Sequence, residues 1–109
     1  MASVTYKIND YSKKFLQKHK FKYSSYLSEY GDEVYTYKFP LVIYNKITTI
    51  ECEIAVSLAT GIANVNVYNA GTRELYSSYY NREFGNCELL KSIDVKIENK
   101  FKELGIKKI

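Results

Sequence analysis

The sequence predicts an α+β fold, in which an antiparallel meander sheet of four or five strands carries a short N-terminal helix and a longer C-terminal helix packed on one face. Two patterns indicate it. Residues 47–59 alternate strictly between apolar and polar side chains, which is typical of a strand with one wet face. Residues 90–104 repeat apolar side chains at spacings of three and four, which is typical of an amphipathic helix. The length of 109 residues fits a single domain over residues 1–109.

The N-terminal part predicts a strand followed by a short helix. Residues 3–8 alternate in polarity, which indicates the strand. Residues 10–20 then place apolar side chains at helical spacing, and Asn9 or Asp10 offers the N-cap. The aromatic and serine-rich residues 21–30 favour a second strand.

The middle of the chain predicts successive hairpins. Residues 34–44 have strand composition, and Pro40 inside them favours a bulge or an edge strand. Residues 45–46 can turn the chain into the alternating strand 47–59, and a further turn leads to a strand at 62–68. Hairpin spacing of this kind favours an antiparallel meander.

The C-terminal part predicts a loop and then the longer helix. Residues 73–86 combine strand and loop composition. Asn86 offers the N-cap of the last helix, and Gly105 stands where a C′ glycine belongs. Ile106 can then contact Phe101, as a Schellman motif prefers.

Charge is distributed unevenly along the chain. Residues 1–22 carry six lysines against one aspartate, residues 23–90 carry four basic against eight acidic side chains, and residues 91–109 carry six lysines against three acids. Basic ends and an acidic middle suggest a polyanionic partner or an acidic protein surface, although two lysine-rich solvated helix faces would give the same distribution.

Localisation is predicted to be cytoplasmic, without a membrane partner. No apolar run approaches the length of a membrane span, and the first residues lack the layout of a signal peptide. Two cysteines are too few for a disulfide scaffold. The sequence leaves a homo-oligomer open, because it does not fix which sheet edge is free.

Catalytic and metal-binding patterns are scarce, so the sequence predicts no enzyme, no catalytic residue, no cofactor and no metal site. His19 is the single histidine and stands between two lysines. Cys87 lies at the expected start of the last helix, where a thiol pKa falls, and paired with His19 it would form a minimal nucleophile–base dyad. A small residue packed under the sheet is the favoured interpretation of Cys87. Cys52 is expected to be a buried, inert thiol.

Twelve tyrosines are the unusual feature, and they favour a binding surface, because tyrosine offers a large contact area with a polar tip. Tyrosines occur at both parities in residues 22–44, so one sheet face cannot bury them all. We therefore predict a non-enzymatic protein-interaction module with an acidic, tyrosine-rich sheet surface. The predicted protein-binding residues are Tyr23, Tyr26, Tyr30, Tyr35, Tyr37, Glu51, Glu53, Tyr76, Tyr79 and Tyr80.

The small size and AT-rich style of composition are typical of phage or mobile-element accessory proteins. Some of these inhibit host nucleic-acid-handling proteins, as anti-CRISPR proteins do, and the sequence is compatible with such an inhibitor. The alternative is a sequence-nonspecific nucleic-acid-binding protein that uses a lysine-rich helix face, since lysine suits loose phosphate attraction. Its candidate residues are Lys13, Lys14, Lys18, Lys20, Lys22 and Lys100.

Overall fold

The computed structural model describes residues 5–28, 31–76, 79 and 88–108. Within them the chain forms six strands and two helices. In order these are β1 (Tyr6–Ile8), α1 (Lys13–Lys18), β2 (Lys22–Tyr23), β3 (Val34–Tyr44), β4 (Ile47–Ser57), β5 (Ile62–Asn69), α2 (Glu88–Leu104) and β6 (Ile106–Lys108).

All strands join one antiparallel sheet in the order β2-β3-β4-β5-β1-β6. The predicted α+β class, the meander from β2 to β5 and the two helices are confirmed. The sheet has one strand more than predicted, because the chain returns after α2 as β6 and pairs with β1. Three residues behind a helix are too few to show a strand pattern, so the sequence does not predict β6.

The core lies on the face of the sheet that both helices cover. Cys52 and Ile54 of β4 are fully buried, as the alternation in residues 47–59 predicts. Leu16 of α1 and Ile93 of α2 belong to the same buried cluster. The two helices therefore share one core, and the opposite face of the sheet, called here the outer face, is left without a helix among the described residues.

The start of α1 differs from the prediction of a cap at Asn9 or Asp10. A carboxylate oxygen of Asp10 accepts a hydrogen bond of 3.0 Å from the Ser12 amide. Ser12 is the N-cap, and its hydroxyl accepts from the Phe15 amide at 3.3 Å. Asp10 thus closes a local turn ahead of the helix, and Ser12 satisfies the free amide that begins it.

The end of α1 is a Schellman motif with lysine at the left-handed position. The Phe21 amide donates to the Leu16 carbonyl, and the Lys20 amide donates to the Gln17 carbonyl. Lys20 has a φ of 68°, a region that glycine occupies at less cost. The chain continues from this helix end directly into β2. Of the described residues 21–28 of the predicted strand 21–30, only residues 22–23 pair with β3.

Pro40 marks an irregular, partly open stretch of β3, as predicted. The β3–β4 register shifts between Pro40 and Val42 and again before Ile43. On its other side β3 pairs with β2 only at Tyr35 and Thr36. Among the described residues, the rest of that edge has no neighbouring strand. No helix in the described ranges is long and apolar enough to cross a membrane.

Candidate functional site

The predicted acidic pair lies on the outer face of β4. Glu53 stands opposite Lys38 in the register, and their charged groups are 3.7 Å apart. Glu51 stands opposite Pro40 on one side and Tyr68 on the other. Both glutamates are half-buried. The wet face that the alternation predicts is therefore present, and one of its two acids is already paired with a lysine.

Tyr68 is a feature of this face that the sequence did not single out. Its side chain is buried, and its hydroxyl has no hydrogen-bond partner in the described part of the chain. Burial, together with the negative charge of Glu51, raises the pKa of Tyr68 well above its usual value. The phenol therefore stays protonated, and it provides no base for catalysis.

Tyr35 and Tyr37 lie on the opposite, core face. They register with Val56 and Ile54, whose side chains are fully buried. Tyr35 is only 5% exposed, and the Tyr37 ring packs between neighbouring aromatic rings. A single surface that joins these tyrosines with Glu51 and Glu53 does not form, because a strand sends alternate side chains to opposite faces. The sequence showed their shared parity but not which face that parity occupies.

The remaining predicted tyrosines divide by exposure. Tyr23 and Tyr26 are 54% and 94% exposed. Tyr76 and Tyr79 are half-buried and pack against the core cluster. The prediction that some rings stay exposed is confirmed for the first pair. Tyr30 and Tyr80 lie outside the described residues.

The predicted lysines form two environments. Lys13, Lys14, Lys18, Lys20 and Lys22 are exposed along α1 and β2. Only the first of them has an ion pair in the described ranges, at 3.4 Å from Glu33.

Lys100 belongs to a separate groove between α2 and β3. Its ammonium lies 3.1 Å from Glu103 and above the rings of Tyr37 and Phe39, at 5.4 and 5.7 Å from their centroids. Burial lowers the pKa of Lys100, but the Glu103 carboxylate and Tyr37 outweigh it and leave this pKa raised. The groove encloses about 400 Å³. Since its charge is already partnered, Lys100 does not extend the exposed lysine set.

Among the described residues, the most exposed aliphatic side chains lie at the turn between β3 and β4. Ile43, Tyr44 and Ile47 are 60%, 69% and 66% exposed. Residues 43–47 are called here the hairpin tip. The sequence places Ile43, Tyr44 and Ile47 in strands and residues 45–46 in a turn, and it gives none of them a role. One signal for this surface was available in the sequence. Apolar residues stand directly on both sides of the turn residues Asn45 and Lys46, and side chains so close to a turn extend beyond the core.

Catalytic chemistry finds little support in the described residues. Cys52 is fully buried, and burial raises the pKa of its thiol to about 12, so it is the inert thiol that was expected. His19 is half-buried with its ring 4.4 Å from that of Phe15. Cys87, its proposed dyad partner, lies outside the described residues. No group of three metal-ligating side chains occurs in the described ranges.

No protein family model matches this chain, and no curated protein matches it by sequence. A crystal structure of a DUF1831 family protein from Lactobacillus plantarum is similar in fold. The two share a TM-score of 0.62 and 9% sequence identity, over 99% of this chain and 90% of that one. At this identity the similarity concerns the fold alone.

Proposed function

We propose that the protein is a non-enzymatic protein-interaction module and that the hairpin tip is its contact element. The observation that carries the proposal is the exposure of the cross-strand partners Tyr44 and Ile47 side by side at the end of one hairpin, with Ile43 exposed on the other face of the same end. Single exposed apolar residues are common, but a contiguous group is typical of interaction sites. Tyrosine in such a group is favoured at interfaces, since it combines contact area with a polar tip.

The hairpin tip extends beyond the rest of the sheet. β5 registers with β4 only from Ile50 to Val56, so the last residues of the hairpin pair with each other alone among the described strands. A two-stranded ribbon is only marginally stable by itself. Exposed isoleucines there add nothing to the core, and a partner that buries them would account for their presence.

The arrangement of the tip favours a cleft over a flat partner surface. Tyr44 and Ile47 are cross-strand partners, so they share one face of the ribbon. Ile43 precedes Tyr44 and points to the other face. A partner has to surround the tip to bury all three side chains.

Quantitative affinity capture from a cell extract tests the proposal with Ile47→Ser and a matched control, Val95→Ser. Val95 is a 54% exposed aliphatic residue on α2. We expect a protein that the parent and Val95→Ser retain equally and that Ile47→Ser loses at least tenfold. The free energy of unfolding of both variants should lie within about 0.5 kcal/mol of the parent value, because exposed positions contribute little to stability.

Sedimentation velocity on the same proteins tests whether the partner is a second copy of this chain. A parent dimer that becomes a monomer only with Ile47→Ser supports the tip as a self-association site. Equal retention of every captured protein by Ile47→Ser, with no change in association state, contradicts the proposal. Inhibition of a host nucleic-acid-handling protein, in the manner of an anti-CRISPR protein of phage or mobile-element origin, stays a prediction, since a fold alone carries no information about a target.

A further inference from the structure

Exposed tyrosines and lysines meet at the end of β3 opposite the hairpin tip. Tyr23 is half exposed at the edge strand β2, and Tyr26 is 94% exposed in the turn that follows. The exposed lysines of α1 lead directly into this strand through Lys20 and Lys22. We call this set the Lys–Tyr edge, and it comprises Lys14, Lys18, Lys20, Lys22, Tyr23 and Tyr26. The eleven residues of β3 separate it from the tip by about 30 Å.

Helix α1 and the turn at residues 25–27, which carries Tyr26, lie beside each other. Lys13 forms an ion pair with Glu33, and the neighbouring residue, Val34, accepts a hydrogen bond of 2.9 Å from the Ser24 amide. Ser24 stands between Tyr23 and Tyr26 in the chain. The first turn of α1 is therefore anchored close to the two exposed rings.

Local contacts order the segment that carries the two exposed rings. The Tyr23 ring packs edge-on against that of Tyr35, with centroids 5.8 Å apart. The Ser24 hydroxyl accepts from the Leu27 amide at 3.2 Å, and the Ser24 carbonyl accepts from the Ser28 hydroxyl at 2.6 Å. Tyr26 is thus presented by an ordered turn, so little conformational entropy is lost when a planar group stacks on it.

The charge of the Lys–Tyr edge is uncompensated in the part of the chain that the structure describes. Lys13 is paired with Glu33, whereas Lys14, Lys18, Lys20 and Lys22 form no ion pair with a described acid. A partner that complements this edge has to be an anion with several charges. Exposed aromatic rings beside those charges favour a polymer that combines a phosphate backbone with planar groups able to stack on the rings.

We propose that the Lys–Tyr edge binds single-stranded nucleic acid without sequence preference. The lysines attract the phosphates, and Tyr23 and Tyr26 stack on unpaired bases. A duplex fits less well, because its bases are already stacked on each other. The edge contains no arginine, the side chain best suited to reading guanine, so base identity has little influence.

Fluorescence anisotropy tests the proposal with labelled single-stranded 20-mers and the matching duplex at several salt concentrations. We expect tighter binding of the single strand and a slope of log affinity against log salt of about −3, since four phosphate contacts contribute roughly −0.7 each. Tyr26→Ala should weaken single-strand binding about tenfold, because one stacked base is lost, and should leave the slope unchanged. Lys18→Gln with Lys22→Gln should make the slope less steep by about 1.4.

Two matched variants separate this site from general attraction. Leu75→Ala removes a 57% exposed apolar side chain beside β5, and Lys91→Gln removes an exposed lysine at the other helix. Both should bind the single strand as the parent does. Absence of binding at low salt overturns the proposal. So does an unchanged affinity of Tyr26→Ala, or equal affinity for duplex and single strand, because either result means attraction by charge alone. Displacement of the oligonucleotide by polyglutamate at equal charge also overturns it and identifies an acidic protein as the occupant.

Discussion

The side-chain ammonium of Lys96 donates a hydrogen bond of 2.6 Å to the main-chain carbonyl oxygen of Leu41, 55 positions earlier in the chain. Leu41 stands at the register shift that follows Pro40, where β3 has only β4 as a described neighbour. A strand edge with free carbonyls is a site for unwanted pairing. The helix thus satisfies a carbonyl that the irregular strand leaves open, next to a proline that has no amide to offer.

Lys96→Met tests the contribution of this contact, because methionine keeps much of the apolar stem and loses the ammonium. We expect the free energy of unfolding to fall by about 1 kcal/mol, the usual net value of one hydrogen bond. Lys91→Met is the control, since Lys91 is an exposed lysine on the same helix. Urea denaturation measures both variants, and an equal change in the two would show that the Leu41 contact contributes nothing.

The turn at the hairpin tip carries a residue in an unfavourable conformation. Asn45 and Lys46 have φ values of 50° and 64°, as a two-residue type I′ hairpin turn requires. Asparagine tolerates this region, whereas lysine is strained there. Lys46→Gly should therefore stabilise the protein by about 1 kcal/mol. Thermal denaturation should show a higher Tm for Lys46→Gly than for Lys46→Ala, and an equal Tm for the two would contradict the explanation.

Most of the fold could be predicted from strong periodic patterns in the sequence. The strict alternation around Ile54 and the helical repeat around Ile93 depend on local spacing alone, and both segments form as predicted. The short strands β1, β2 and β6 depend on pairing between distant residues such as Ile8 and Ile106. No local pattern encodes such a pairing, so the sheet order was not predictable.

The candidate surface was less predictable than the fold, for a geometrical reason. Parity places Tyr35 and Tyr37 on one side of β3, but the sequence does not say which side the helices cover. Burial of that side removes both tyrosines from the predicted surface. Exposure of Ile43 and Ile47 depends on how far the hairpin extends past β5, which is again set by pairing between strands.

Glycine is required at position 61 for two reasons, the positive φ of its backbone and the close approach of the Tyr11 ring. Gly61 has a φ of 76°, and a Cβ atom placed on it would lie 2.5 Å from the Tyr11 ring. Gly61→Ala should lower the free energy of unfolding by about 2 kcal/mol, from left-handed strain and from the clash together. Gly71→Ala is the control, because nothing lies within 4 Å of a Cβ there.

The two contributions at Gly61 can be separated with Tyr11→Ala. In that background the ring is absent, so Gly61→Ala should cost only the backbone strain of about 1 kcal/mol. Urea denaturation of the four proteins gives the coupling between the two positions. Additive effects would mean that the ring moves aside freely and that strain alone explains the requirement for glycine.

Cys52 gives the protein a dependence of stability on alkaline pH. Burial, with smaller contributions from the charges of Glu53 and Glu51, raises the pKa of its thiol from 9.0 to about 12 in the folded protein. The unfolded chain loses this proton near pH 9, while the folded protein keeps it. The stabilising contribution is therefore complete below pH 9 and is lost as the pH rises from 9 towards 12.

The expected loss at pH 10 is about 1 kcal/mol relative to pH 8. Other groups also titrate in this range, so the measured quantity is the difference in free energy of unfolding between Cys52→Val and its parent. Both proteins carry Cys87→Ser to remove the second thiol, and urea denaturation at pH 8 and pH 10 supplies the four values. The parent should lose about 1 kcal/mol more than Cys52→Val. A difference that is the same at both pH values would mean that the folded protein ionises Cys52 as readily as the unfolded chain does.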